Sequence, residues 1–211
     1  MNASLGRAWA EAWSDRAFRR HLLLSVPALL AALSILANFL KWVEERPGVI
    51  LPDPVLAALP PRDVTWLTFA LIYLGLVASL ARMAWYPRDL VRAVQAYAIM
   101  VGLRIVVMYA TPLEAPPGMI LLQDPLVQHL GTGKALTKDL FFSGHTSTLF
   151  LVSLAVRGAK VRALFFACTA AVAFCVLWQH VHYTVDVLAA PFFAFAAFQL
   201  AGLLHPPRRP S

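Results

Sequence analysis

Apolar residues run along this chain in blocks long enough to cross a bilayer, and short clusters of charge, proline and glycine separate the blocks. A spanning helix needs about 20 predominantly apolar residues, because each advances it by about 1.5 Å through hydrocarbon about 30 Å thick. Six blocks qualify, roughly Leu22 to Trp42, Val64 to Ala84, Val94 to Thr111, Leu140 to Val156, Ala163 to His180 and Thr184 to Leu204. They predict an all-α polytopic membrane protein, a bundle of six transmembrane helices forming a single domain over residues 1–211. Arg16, Arg19, Arg20 and His21 precede the first block without a small-residue cleavage site, so it reads as a retained helix and not as a signal peptide. The Pro-rich pieces "LPDPVLAALPPRD" and "TPLEAPPG" break the helical pattern and are expected as outer loops.

Composition supports the membrane: 60% of the residues are hydrophobic and 14% charged, with a mean hydropathy of +0.67. The net charge of +7 does not point to nucleic acid, since the basic residues sit in short groups between apolar blocks instead of along one face. With six alternating spans, Arg7, Arg16, Arg19, Arg20, Arg82, Arg88, Arg92, Arg157, Lys160, Arg162, Arg208 and Arg209 share one side. The other side holds Lys41, Arg46, Arg62, Lys134 and Lys138. The positive-inside tendency makes the first side cytoplasmic, with segments 1–21 and 205–211 both there, as in a bacterial inner-membrane protein. Trp42, Trp66, Trp85 and Trp178 fall at span ends, where amphipathic rings sit at headgroup level. Cys168 and Cys175 lie on one predicted helix, about 10 Å apart along its axis, too far to bridge each other.

Two polar clusters interrupt this pattern, "KDLFFSGHTSTLF" at 138–150 and "HVHYTVD" at 180–186, and both fall at the outer ends of predicted spans. Ionisable residues at such depth are costly unless they pair or line a polar cavity, so a site is the default expectation. His182 and Asp186 are four apart at the start of the sixth span, on one helix face. The carboxylate then takes the proton of one ring nitrogen and leaves the other nitrogen's lone pair free for nucleophilic or base chemistry. His145 has no acid three or four residues away. That asymmetry suggests His182 as nucleophile and His145 as the group that gives and takes protons. Gly144 removes a side chain beside His145, and Ser143 and Thr146, with free N–H groups at a helix start, suit an anionic phosphate.

At these residues the chain resembles the sphingomyelin synthases and their relatives within the lipid phosphate phosphatase superfamily. The similarity rests on "DLFFSGHT" and "HYTVDV", with "LPD" at 51–53 and "RIVVMYATPL" at 104–113 in the same order. The resemblance implies a membrane enzyme that moves a phospho-headgroup, of the phosphocholine or phosphoethanolamine type, from a glycerophospholipid to a lipid alcohol such as ceramide. His145, His182 and Asp186 would be its catalytic set, and Arg104, Asp139, Ser143, Gly144, Thr146 and Tyr183 its substrate-binding set, with a phosphohistidine intermediate. No cofactor or metal is expected. The partners implied are the donor phospholipid and the acceptor lipid, with no nucleic acid, and a homo-oligomer is compatible.

The pattern also departs from the family. Thr137-Lys138 stand where it has Cys-Gly, Val181 replaces an acid between the paired histidines, and the aromatic after the second signature falls near Pro191-Phe192. The basic segment of the classical lipid phosphatases is missing, and Cys175-Val176 stand in place of their Ser-Arg pair. Arg104, an arginine inside a span, is therefore the expected phosphate partner.

Plainer readings stand beside these. The histidines can be polar bridges between helices, Asp139 a helix cap, Arg104 the partner of Glu114, and His180 an interfacial residue. A zinc site of His145, His180, His182 and Asp186 would need His180 and His182, two residues apart, to point alike. "GTGK" at 131–134 lacks the glycine of a phosphate loop, that position being His129. A hydrolase with water as acceptor would use the same residues, and a non-catalytic lipid-binding protein would keep the cavity without needing a proton-transfer pair.

Overall fold

The computed structural model of this chain describes residues 4–122 and 136–204, so "GTGK", Arg208, Arg209 and the tail from 205 lie outside the described residues. The described residues form helices α1 (Leu5–Ser14), α2 (Arg16–Glu45), α3 (Pro54–Ala58), α4 (Thr65–Met83), α5 (Pro87–Ala110), α6 (Gly144–Ala155), α7 (Ala159–Trp178) and α8 (Thr184–Leu203). The architecture is all-α. Five of the helices, α2, α4, α5, α7 and α8, are long and apolar enough to cross a membrane.

The fourth expected span is the exception. Helix is expected from Leu140, but α6 begins at Gly144, because Ser143 takes the N-cap position with its hydroxyl facing the Thr146 N–H. Its 12 residues cover about 18 Å, less than the hydrocarbon thickness. The helix is also sheltered: Ser147, Leu149, Leu151, Val152 and Ser153 are buried, and its neighbours are α4, α5, α7 and α8. Ser147, Thr148 and Ser153 direct their hydroxyls back to carbonyls of their own helix, which hides polar atoms from the apolar surroundings. α2 and α5 start earlier than their apolar blocks, so each carries its basic residues within the helix.

α5 lies at the centre, packed on α2 along one side and on α8 along the other. Ala190, Ala194, Ala197 and Ala201 repeat at four-and-three spacing on one face of α8, fully buried. Such a stripe lets neighbouring backbones approach closely where lipid offers no hydrophobic drive to pack.

The basic ends of the helices meet at one end of the bundle. There Arg157 pairs with Asp89, Arg88 lies 3.2 Å from Asp15, and the Trp9 indole of α1 donates to the Ala84 carbonyl at 2.9 Å. At the opposite end Glu44 accepts from the Thr137 N–H and hydroxyl and from the Lys138 N–H, each within 2.8 Å. The Lys138 ammonium bonds Glu114 and the Arg46 carbonyl, both at 2.9 Å. The residues that depart from the family's Cys-Gly therefore anchor the approach to α6. Segments 46–49 and 111–114 run side by side here, and a Cβ on Gly48 would lie 2.5 Å from the Leu113 carbonyl carbon, so only glycine fits.

Candidate active site

The first turn of α8 builds one half of the site. Tyr183 is its N-cap and Asp186 its third residue. The Asp186 carboxylate reaches back to the N-cap N–H at 3.1 Å and holds His182 Nδ1 at 3.2 Å. The Asp186 and His182 side chains are 0% and 2% exposed, so this contact is shielded from water.

The start of α6 supplies the other half. The Ser143 N–H donates to the Asp186 carbonyl at 3.1 Å, locking the two helix starts together. His145 then faces His182 edge-on, with ring centroids 6.3 Å apart. Against this pair lies the Arg104 guanidinium from α5, donating to the Phe142 carbonyl at 3.1 Å and to Asp139 at 2.6 Å. It sits so close that a Cβ on Gly144 would lie 2.8 to 3.2 Å from its terminal atoms. The missing side chain of Gly144 thus makes room for an arginine.

A polar scaffold fixes the loops that carry these groups. Asp53 caps α3 and also accepts from Thr184, N–H at 2.7 Å and hydroxyl at 3.0 Å. Burial pushes the Asp53 carboxyl up, but these hydrogen bonds outweigh it and leave its pKa below the ordinary carboxylate value. The Tyr183 hydroxyl donates to the Glu114 carbonyl at 3.0 Å and accepts from the Leu51 N–H at 3.3 Å. Glu114 itself is held below its usual pKa by the Lys138 hydrogen bond. His180 takes a left-handed backbone, with φ at 56°. Its ring nitrogens lie 2.9 Å from the Pro117 carbonyl and 2.7 Å from that of Leu59.

A cavity of about 330 Å³ opens at the two histidines. Arg104, Asp139, Gly144, His145, Thr148 and His182 line its polar end, and apolar residues of α2, α4 and α5, together with Met119, Leu122, Leu136 and Val181, line most of the rest. An imidazole held against a buried carboxylate, a second imidazole across from it and a buried guanidinium suit attack on a phosphate ester.

Residues 138–203 match the family described as PAP2 superfamily C-terminal. The matched stretch contains both histidine clusters. The chain is also 32% identical over 130 residues to the Trypanosoma brucei brucei protein named phosphatidylethanolamine:ceramide ethanolaminephosphotransferase. That similarity covers 53% of this chain and 40% of the relative's length. The resemblance read from the two motifs is borne out, and both matches support an enzyme of the phosphotransferase or phosphatase kind.

Of the residues singled out in the sequence, Arg104, Asp139, Gly144, His145 and His182 line one cavity, with Asp186 directly behind His182. Ser143 and Thr146 do not line it: they are 0% and 2% exposed and form the cap of α6. Tyr183 faces a second cavity, shared with Asp53 and His180. Arg104 pairs with Asp139, while Glu114 pairs with Lys138. Val181, where the family has an acid, is buried with Leu122, Val172 and Val176. Glu44 and Gln179 are new to the site's support: Gln179 donates to Thr65 at 2.8 Å and to the Ile120 carbonyl at 3.2 Å. Neither has a spacing signal in the sequence, because their partners are remote along the chain.

Proposed function

We propose that this protein is an integral-membrane phosphotransferase that moves a phospho-headgroup from a glycerophospholipid to a lipid alcohol through a phosphohistidine on His182. The observation that carries the reading is the His182–Asp186 pair facing His145 in a cavity that also holds Arg104. The His182 Nδ1–H donates to Asp186, so Nε2 presents its lone pair to phosphorus. The N–P bond forms as the bond to the diacylglycerol oxygen breaks, and protonated His145 gives its proton to that oxygen. Arg104 balances the charge on the phosphoryl oxygens. The now neutral His145 takes the proton of the acceptor hydroxyl, whose oxygen attacks the phosphohistidine and frees His182. The name of the trypanosomal relative supports phosphoethanolamine as headgroup and ceramide as acceptor.

Incubating the purified protein with headgroup-labelled phosphatidylethanolamine, with and without ceramide, tests the reading. A labelled ceramide product is expected. Release of water-soluble phosphoethanolamine alone would make the enzyme a hydrolase, and no turnover of any lipid phosphodiester would contradict the proposal.

The proposal also places the site on the extracytoplasmic face with both termini inside, because the basic ends of the helices gather at the opposite end. A cysteine at Arg62 should react with an impermeant thiol reagent added outside, and one at Lys160 should not. The reverse labelling would move the site to the cytoplasm.

A further inference from the structure

The cavity at the histidines is not a closed chamber. Three helices present one face each: Leu33, Leu36 and Leu40 of α2, Ile72 and Leu76 of α4, and Tyr97, Met100, Val101 and Arg104 of α5. The spacings of three, four and seven place each set on one side of its helix. From Arg104 to Tyr97, and from Leu40 to Leu33, is seven residues, so the apolar part reaches about 10 Å from the polar end toward the middle of the bundle.

Its walls are unequal. The α5 wall is sealed, with Met100 and Val101 only 1% and 2% exposed. On α2 the exposure rises from 6% at Leu40 through 9% at Leu36 to 36% at Leu33. Beyond Leu76 on α4, Val77 and Leu80 are exposed. α2 packs on α5 and α1, whereas α4 packs mainly on α6 and α7 and to a lesser extent on α5. Among the described residues the cavity lies between α2 and α4, beside Leu122 and Leu136, and the exposure of Leu33, Val77 and Leu80 places its opening on the outer apolar surface of the bundle.

Size decides what such an opening is for. About 330 Å³ lies at the low end of the range for pockets that enclose a drug-sized molecule, about 300–1,000 Å³. A two-chain phospholipid is larger than that, so most of the lipid must stay outside while its phosphate reaches Arg104. We propose that one acyl chain of the donor lies with its first methylenes in this cavity and passes out to the bilayer between α2 and α4, with Leu33 and Leu76 at the threshold. The chain enters sideways, without leaving hydrocarbon, and brings the phosphate to the histidines at the polar end. This rests on the reading of the site as one for a lipid phosphate.

Two arms of one experiment test it. In detergent micelles, phosphatidylethanolamine with a diazirine midway along one acyl chain should label residues 33–40 of α2 and 72–76 of α4, and excess unlabelled lipid should suppress that labelling. In the second arm, Leu33→Trp and Leu76→Trp narrow the threshold. They should cut kcat/KM for dioleoyl phosphatidylethanolamine by about tenfold or more while changing that for the dibutyryl form by less than about twofold. Suppressible labelling on α7 or α8 instead, or equal effects of the Trp variants on both donors, would overturn the proposal. If the wild type turns over neither donor, the phosphotransferase reading fails, and the labelling arm alone decides where the chain lies.

Discussion

The two ends of the bundle are held together by different means. At the basic end exposed ion pairs, such as Arg157 with Asp89, are prominent among the ties between helices, alongside the Trp9–Ala84 hydrogen bond. At the site end nearly every loop is fixed by a hydrogen bond to a residue remote in sequence: Glu44 to 137–138, Asp53 to Thr184, Tyr183 to Leu51 and Glu114, His180 to Leu59 and Pro117. Exposed ion pairs tolerate loss, being worth roughly 0–1 kcal/mol. A half-buried hydrogen-bond network tolerates it less, because each deletion strands a partner, at a cost of up to about 1–3 kcal/mol where that partner is shielded from water. The lesson is that tolerance to substitution should differ sharply between the ends, and that activity should follow the site end.

The largest expected effect is at Arg104. Arg104→Lys keeps the charge but loses the planar fork that serves Asp139 and the Phe142 carbonyl at once. We expect activity to fall about 100-fold or more, with the helix content unchanged by circular dichroism. Full activity in this variant would remove the guanidinium from the account.

Gly144→Ala comes next. Its Cβ would press on the guanidinium at 2.8 Å, so Arg104 must shift. The expected loss is about tenfold or more in kcat/KM, since a displacement of about 1 Å at a site can cost as much as 100-fold. Unchanged kinetics would show that the guanidinium position is not critical.

A smaller effect is expected at Asp53, which acts through Thr184 on the start of α8. Because its folded pKa is depressed, its stabilising contribution is complete above the unfolded value of about 3.9 and is lost as pH falls through the lower folded value. Unfolding of the wild type between about pH 4 and that lower value should therefore steepen relative to Asp53→Asn. Parallel acid-unfolding curves would contradict this.

The smallest effect belongs to the basic end. Arg157→Ala should leave turnover within about twofold and cost no more than about 1 kcal/mol of stability. A loss as large as that at Arg104 would erase the contrast between the ends.

Much of this was legible in the sequence, and the limits have physical reasons. Apolar block length predicts the long helices, because hydrophobic runs report directly on bilayer thickness. The same rule misplaces the start of the fourth span, at Leu140 instead of Gly144, because the apolar residues ahead of the Ser143 cap are buried protein interior, which composition cannot tell from a helix in lipid. Helical spacing predicts the His182–Asp186 contact, which is local. The partner of Arg104 is not local: the plainer reading of the sequence gives it Glu114, whereas the tertiary fold gives Asp139 to Arg104 and Glu114 to Lys138. Ser143 and Thr146 show the converse, since residue types suited to phosphate are also the residue types that cap helices.

The central claim is that His182 carries the headgroup and His145 moves protons. A nitrophenyl phosphodiester donor, labelled in its retained phosphoryl group, tests this directly because its leaving group needs little protonation. His145→Ala should accumulate acid-labile label on the protein while turning over slowly, and His182→Ala should acquire none. Asp186→Asn should fall between them, its imidazole having lost the carboxylate that orients it. Label on His182→Ala but not on His145→Ala would exchange the two roles, and no labelled protein in any variant would contradict the phosphohistidine and leave His182 as a base for direct transfer.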